Sequence, residues 1–126
     1  MGFFSTKASK SNLNWEHISE EKELKQLFNL EDNKPILFFK HSTRCSISSM
    51  ALNRLEKEWA LSDDECKLAF IDLIKHRNIS NLLSDLSDVT HQSPQVILVK
   101  NGRMIYNASH SAINTSEIFE TFKTHK

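Results

Sequence analysis

The 126-residue sequence contains few of the residues that build nucleotide sites or disulfide scaffolds, with two glycines and two cysteines. Gly2 lies at the start and Gly102 near the end, so the sequence has no glycine-rich loop. Rossmann and P-loop sites need clustered glycines where the backbone approaches phosphate, and both classes are therefore excluded. Two cysteines are also too few for a disulfide-stabilised scaffold.

Charge of either sign is not in excess, because 16 basic residues balance 16 acidic ones. Nucleic-acid binding favours a basic face, so we expect no nucleic-acid partner. No apolar run approaches the roughly 20 residues of a membrane helix, and the start lacks the order of a signal peptide. We therefore expect no membrane partner and a location in the reducing cytoplasm, where a lone thiol stays reduced.

The first residues differ in composition from the rest of the chain. Residues 1–14 are rich in Ser and Lys and are predicted to form a flexible tail. Met1–Thr6 also fits the short N-myristoylation pattern, although such a pattern often arises by chance. The alternative is a frayed terminus in which Phe3 and Phe4 dock on the body. Residues 15–126 have no linker or internal repeat and are predicted to form one domain.

Hydrophobic spacing predicts alternating strands and helices. Continuous apolar runs predict buried strands at 36–39, 68–74 and 96–99, after a short strand at 15–18. Helical spacing predicts helices at 20–30, 47–59, 79–86 and 114–122. Asn101-Gly102 predicts a tight hairpin into a return strand at 104–106.

This order of elements defines an α/β fold. Strands that alternate with helices imply parallel pairing of the buried strands, and the closing hairpin adds an antiparallel edge. We expect a central mixed sheet of four or five strands, flanked by helices on both faces.

Cys45 is the residue with the clearest chemical potential, because it follows a predicted strand and starts a predicted helix. Unpaired N–H groups and the helix dipole favour a thiolate there. Arg44 adds a positive charge, and a thiolate is the nucleophile of disulfide exchange. A buried structural cysteine is the alternative, but the polar neighbours Thr43, Arg44 and Ser46 argue against burial.

A second thiol is missing at the predicted site. Ser48 stands where a dithiol oxidoreductase would have its second cysteine, so an outside thiol has to resolve a mixed disulfide on Cys45. Cys66 lies at the front edge of a predicted strand, and we expect it to be structural.

Ser93-Pro94 directly precedes the strand predicted at 96–99. The bond is either cis in a tight turn or an ordinary trans bond, and the sequence leaves both open. A cis bond would expose the Ser93 backbone, with which an extended substrate chain can pair.

Three of the six histidines, His41, His91 and His110, fall in predicted loops near strand ends. Each is a candidate proton donor or field source for the thiolate, although most loop histidines serve neither purpose. Their spacing matches no compact metal-ligand pattern, so no metal site is predicted.

Three strings resemble the YtxJ family of bacterial thioredoxin-like proteins of the bacillithiol system, akin to monothiol glutaredoxins and bacilliredoxins. The strings are 41–48 (HSTRCSIS), 91–95 (HQSPQ) and 107–110 (NASH), and the resemblance runs from about Trp15 to Phe122. It implies a thioredoxin-like fold with Cys45 as the redox nucleophile and Pro94 as a cis-proline beside it. The family often has proline directly after the cysteine, where this sequence has Ser46.

The resemblance implies a monothiol thiol-disulfide oxidoreductase that acts on S-thiolated proteins with a low-molecular-weight thiol such as bacillithiol as co-substrate. We expect a monomer without a cofactor. The expected catalytic residue is Cys45, and the expected substrate-binding or thiolate-stabilising residues are Thr43, Arg44, Ser46, Ser48, Ser93 and Pro94.

Two other functions fit the same sequence. A non-catalytic module would bind an extended peptide on an apolar rim around Ile47 and Pro94. An iron–sulfur carrier would use Cys45 together with a small thiol as cluster ligands.

Overall fold

The computed structural model describes residues 13–125. The myristoylation pattern at Met1–Thr6, the docking of Phe3 and Phe4, and most of the predicted tail lie outside this range. Leu13 packs against the core of the domain, so contacts with the domain begin before Trp15.

Strands and helices alternate along the described residues in the predicted order. The strands are β1 (Trp15–His17), β2 (Ile36–His41), β3 (Lys67–Asp72), β4 (Gln95–Lys100) and β5 (Arg103–Ser109). The helices are α1 (Glu21–Phe28), α2 (Ser46–Glu58), α3 (Arg77–Ser87) and α4 (Thr115–Thr124), with a 3₁₀ turn at His110–Ala112. Asn101 and Gly102 adopt left-handed φ values of 52° and 78°, as the predicted hairpin requires.

The strands form one mixed sheet in the order β1-β3-β2-β4-β5, which confirms the predicted α/β architecture. Both β1 and β2 pair with β3 in parallel, while β4 pairs antiparallel with β2 and with β5. The expectation of parallel pairing was therefore wrong for β4. Residues 88–94 return the chain to the carboxyl end of β2, where Gln95 pairs with Lys40, so β4 has to run in the opposite direction.

The sheet is covered by two helices on each face. The core beneath α1 and α3 includes Leu24, Phe38 and Ile79. The core beneath α2 and α4 includes Phe39 and Leu55. Because side chains alternate along a strand, neighbouring residues of β2 enter different cores, and all six residues of β2 are buried.

Substitution of Phe38 tests the packing of this central strand. The Phe38 side chain is 0% exposed, and its ring centroid lies 6.5 Å from that of Phe28. Phe38→Ala should lower the free energy of unfolding by about 3–5 kcal/mol in urea denaturation, because it leaves a cavity in the core. Met50→Ala, at a side chain that is 67% exposed, should change it by less than about 0.5 kcal/mol. Equal effects of the two substitutions would contradict this description of the core.

Candidate thiol site

Cys45 is the N-cap residue of α2 and is partly exposed. Its backbone N–H donates to the Ser42 carbonyl at 3.1 Å, and its carbonyl accepts from the Ser49 N–H at 3.1 Å. The first N–H groups of a helix have no partner within it. The Cys45 side chain makes no capping hydrogen bond, and the first turn of α2 has no acidic residue. The positive end of the α2 dipole therefore lies at Cys45 with no carboxylate in the first turn of the helix.

Thr43, Arg44 and Ser46 flank Cys45 and are exposed to solvent. Arg44 therefore places a cation beside the cysteine that a bound molecule can reach. The side chains of Ile47 and Met50 in the first turns of α2 are 57% and 67% exposed. Cys45 is thus flanked along the chain by exposed polar side chains and followed by exposed apolar ones.

Ser48 was predicted to bind substrate or stabilise the thiolate, but its side chain is 0% exposed. Its hydroxyl lies 2.6 Å from Nδ1 of His41 and accepts a hydrogen bond of 3.1 Å from the Ser42 N–H. Ser48 therefore ties the start of α2 to the end of β2. It fixes the loop that carries Cys45 and presents no group to solvent.

His41 was predicted to lie in a loop, but it is the last residue of β2 and is 6% exposed. Its ring packs 5.5 Å from the Phe70 ring, measured between centroids. Burial lowers the pKa of His41, while Asp72 and Glu56 act in the opposite direction. The continuation of β2 through two polar residues explains the error, since the apolar run alone ends at Phe39.

The Ser93-Pro94 peptide bond is cis, and Pro94 is buried. The Pro94 carbonyl accepts a hydrogen bond of 2.9 Å from the His110 N–H. The Ser93 hydroxyl oxygen is buried and has no hydrogen-bond partner among residues 13–125. Because β4 begins beside the end of β2, this turn lies at the same end of the sheet as Cys45.

The structure places His41, His91 and His110 at this end of the sheet, in three different environments. His91 is partly buried, and its Nδ1 lies 3.2 Å from Lys40 Nζ and 3.2 Å from the Ser80 hydroxyl. His110 is exposed and has a left-handed φ of 55°. No hydrogen bond found within residues 13–125 joins any of the three to Cys45.

Lys40 is the residue that sequence reasoning missed. It lies in β2 with 0% of its side chain exposed, and its Nζ donates to the Ser84 hydroxyl at 2.7 Å. Burial lowers the pKa of Lys40 to about 8. A lysine at the end of a run predicted to be buried on both faces was the available signal, because strand alternation puts Lys40 on the same face as Phe38.

Cys66 is 1% exposed, and burial raises the pKa of its thiol to about 12. It is therefore a neutral thiol within the core beneath α2 and α4 at physiological pH. This environment agrees with the structural role expected for Cys66 and separates it from Cys45.

Within residues 13–125, no group of three or more His, Cys, Asp and Glu side chains is arranged to hold a metal ion. The helices described in this range are too short or too polar to cross a bilayer.

The fold and the single partly exposed cysteine define the class of protein. Among solved structures, a putative oxidoreductase with a thioredoxin fold superposes with a TM-score of 0.72 and 26% sequence identity, covering 85% of this chain and 92% of its own. Thioredoxin from Malassezia sympodialis gives a TM-score of 0.65 at 18% identity, over 86% and 88% of the two chains. Fasciola hepatica thioredoxin gives 0.64 at 20% identity, over 87% and 98%. The protein therefore has a thioredoxin fold, and the first of these neighbours supports a role of the thiol-oxidoreductase type.

A family model narrows this class. The model described as monothiol bacilliredoxin BrxC matches residues 16–118. The chain belongs to the monothiol bacilliredoxin BrxC family, in agreement with the resemblance found in the sequence.

Ser48→Cys tests whether the fold could hold a second thiol at the site. Positions 45 and 48 are three residues apart at a helix start, so their side chains lie on one side of α2. We expect the oxidised variant to lose both thiols to an intramolecular disulfide, which thiol counting and a mass loss of two hydrogens would report. The lost hydrogen bond to His41 should also lower the free energy of unfolding by about 1–3 kcal/mol. Ile47→Cys is the matched control, because helix residues two apart do not face each other, and an intramolecular disulfide there but not in Ser48→Cys would contradict this geometry.

The lowered pKa of His41 predicts a dependence of stability on pH. The unfolded chain, with a His pKa near 6.5, binds protons more readily than the folded protein. The free energy of unfolding should therefore fall as the pH drops below that value, by up to about 1.4 kcal/mol per pH unit for such a residue. His41→Gln should flatten this slope in urea denaturation between about pH 7 and pH 5. An unaltered slope in His41→Gln would argue against the prediction.

Proposed function

We propose that the protein reduces mixed disulfides between proteins and a low-molecular-weight thiol such as bacillithiol, with Cys45 as the nucleophile. One observation carries this proposal: Cys45 is a partly exposed N-cap residue, while Ser48 occupies the position of a second thiol. Cys66 cannot supply that thiol without unfolding, because it is buried in the core. Membership of a bacilliredoxin family supports bacillithiol as the small thiol.

The reaction requires two exchange steps, each of which conserves electrons. The Cys45 thiolate attacks the small-thiol sulfur of the mixed disulfide, forming a new disulfide between Cys45 and the small thiol. The protein thiolate leaves and takes a proton from solvent. A second small thiolate then attacks the adduct, releases the symmetric small-molecule disulfide and restores the Cys45 thiolate. The second small thiol supplies the two electrons, so the reaction needs no bound cofactor.

The charge distribution around Cys45 supports this chemistry. The unpaired N–H groups at the start of α2 stabilise both the attacking thiolate and a thiolate that leaves from Cys45. Arg44 provides an exposed cation for an anionic group of the small thiol. Thr43 and Ser46 add exposed hydroxyl groups that can bind its polar atoms.

Exposed apolar side chains support a protein as the substrate. Among the described residues, the large hydrophobic side chains that are most exposed are Ile47, Met50 and Ile74. The first two follow Cys45 in α2, and Ile74 lies just beyond the carboxyl end of β3. A protein that carries the small thiol can bury these side chains, whereas a free small disulfide offers little apolar surface. Backbone groups of Ser93 can pair with an extended segment of the same protein.

Substitution of each cysteine separates their proposed roles. Cys45→Ser should reduce thiol transfer from a bacillithiolated protein to the uncatalysed background, because the nucleophile is lost. Cys66→Ala should retain activity within about threefold, since it removes only a small core side chain. The measurement is mass spectrometry of the substrate over time, together with detection of the small-thiol adduct on residue 45. Transfer by Cys45→Ser at the wild-type rate would refute the proposal.

A further inference from the structure

Lys40 presents an energetic problem that the proposed chemistry does not explain. Its side chain is 0% exposed, and no ion pair with a carboxylate is formed to it within residues 13–125. A buried, unpaired ammonium destabilises a fold, and an apolar side chain of similar volume is often neutral or stabilising in its place. The hydrogen-bond partners of the Lys40 ammonium N–H groups therefore indicate why a lysine is buried here.

Two of those N–H groups reach beyond β2. Lys40 Nζ donates to the Ser84 hydroxyl of α3 at 2.7 Å and lies 3.2 Å from Nδ1 of His91. An ammonium can only donate, so Nδ1 of His91 is the acceptor and the ring is neutral. The Ser80 hydroxyl also lies 3.2 Å from Nδ1 of His91.

The segment that contains His91 leads directly to Pro94. The Gln95 side chain is 2% exposed, donates to the Thr90 carbonyl at 3.0 Å and accepts from the Gln92 N–H at 3.4 Å. Gln95 is also the partner of Lys40 in the pairing of β4 with β2. Two neighbouring buried side chains thus hold residues 90–94 from inside the fold.

We propose that Lys40 is a positioning residue of the thiol site, whose hydrogen bond to neutral His91 holds residues 90–94 in place and is broken when His91 is protonated. Acidification would then release the segment that carries Ser93 and Pro94. The consequence for turnover rests on the proposed function of Cys45, whereas the release of the segment does not.

The charges around His91 give the contact its dependence on pH. The charged groups that act on His91 are Lys40 on β2 and Arg77 on α3, and both are cations. Burial and these two cations lower the pKa of His91, so the contact persists at neutral pH. Protonation would place two positive charges 3.2 Å apart and remove the acceptor.

The backbone amide of His110 is a direct reporter of the segment, because it donates to the Pro94 carbonyl at 2.9 Å. Hydrogen exchange of this amide in the full chain, measured by NMR at about pH 7.5 and pH 5 and corrected for intrinsic rates, tests the proposal. Wild-type protection should fall about tenfold at the lower pH. Lys40→Met should show the weaker protection at both values. The matched control is Lys22→Met, at an exposed lysine of α1, and it should follow the wild type.

His91→Gln separates the pH response from a purely structural effect. Its amide oxygen can accept from Lys40 but cannot be protonated in this range, so His110 should stay protected at both pH values. A fall in protection in His91→Gln equal to that of the wild type would overturn the role of His91. Wild-type protection in Lys40→Met at both pH values would overturn the role of Lys40.

Turnover distinguishes failure of this inference from failure of the proposed function. Lys40→Met should melt no lower than the wild type and should alkylate at Cys45 at the wild-type rate. It should nevertheless raise the KM for a bacillithiolated protein by about tenfold, because the displaced segment no longer contributes to binding. Lack of thiol transfer by the wild type would refute the proposed function and leave the exchange result intact. Failure of Lys40→Met to fold would instead show that Lys40 is structural and overturn the positioning role.

Discussion

Burial of β2 on both faces is the constraint on which the thiol site depends. The strand lies between β3 and β4, and helices cover both sides of the sheet. Polar residues at its carboxyl end must therefore find partners inside the protein. His41 finds Ser48 in α2, whereas Lys40 finds Ser84 in α3 and His91 beyond it. These contacts fix the strand end from both faces, and the chain leaves it toward an exposed helix start.

The same arrangement explains why two cysteines of one chain differ in chemistry. Cys45 lies beyond the buried end of β2, partly exposed at a helix start whose first N–H groups have no partner within the helix. Cys66 lies inside the core beneath α2 and α4, where burial raises the pKa of its thiol. Position relative to the sheet thus separates a redox candidate from a packing residue, in agreement with the exposed polar neighbours of Cys45.

Local patterns in the sequence were sufficient for the strands, the helices and the hairpin, because apolar periodicity and Asn101-Gly102 act over a few residues. The position of Cys45 at a helix start was predictable for the same reason. The direction of β4 was not, since the path of residues 88–94 depends on tertiary contacts. The contact between Lys40 and His91 joins residues 51 positions apart, and no periodic pattern specifies such a pair. The burial of Ser48 also depended on the partner it finds in β2.

Polar residues in a strand that is buried on both faces lower the stability of a fold, and such residues are expected at functional sites. Lys40 fits this description, and so does His41, whose partner is Ser48 in α2. A thiol at position 48 would hydrogen-bond weakly to His41 and the Ser42 N–H, so the monothiol character and the fixed loop before Cys45 have the same origin. Lys40 likewise gives up the stability of an apolar side chain for a hydrogen bond that reaches the segment before Pro94. His41 and Lys40, on opposite faces of β2, therefore hold the two sides of the thiol site. A change at Ser48 or at Lys40 should alter the site without touching the sulfur.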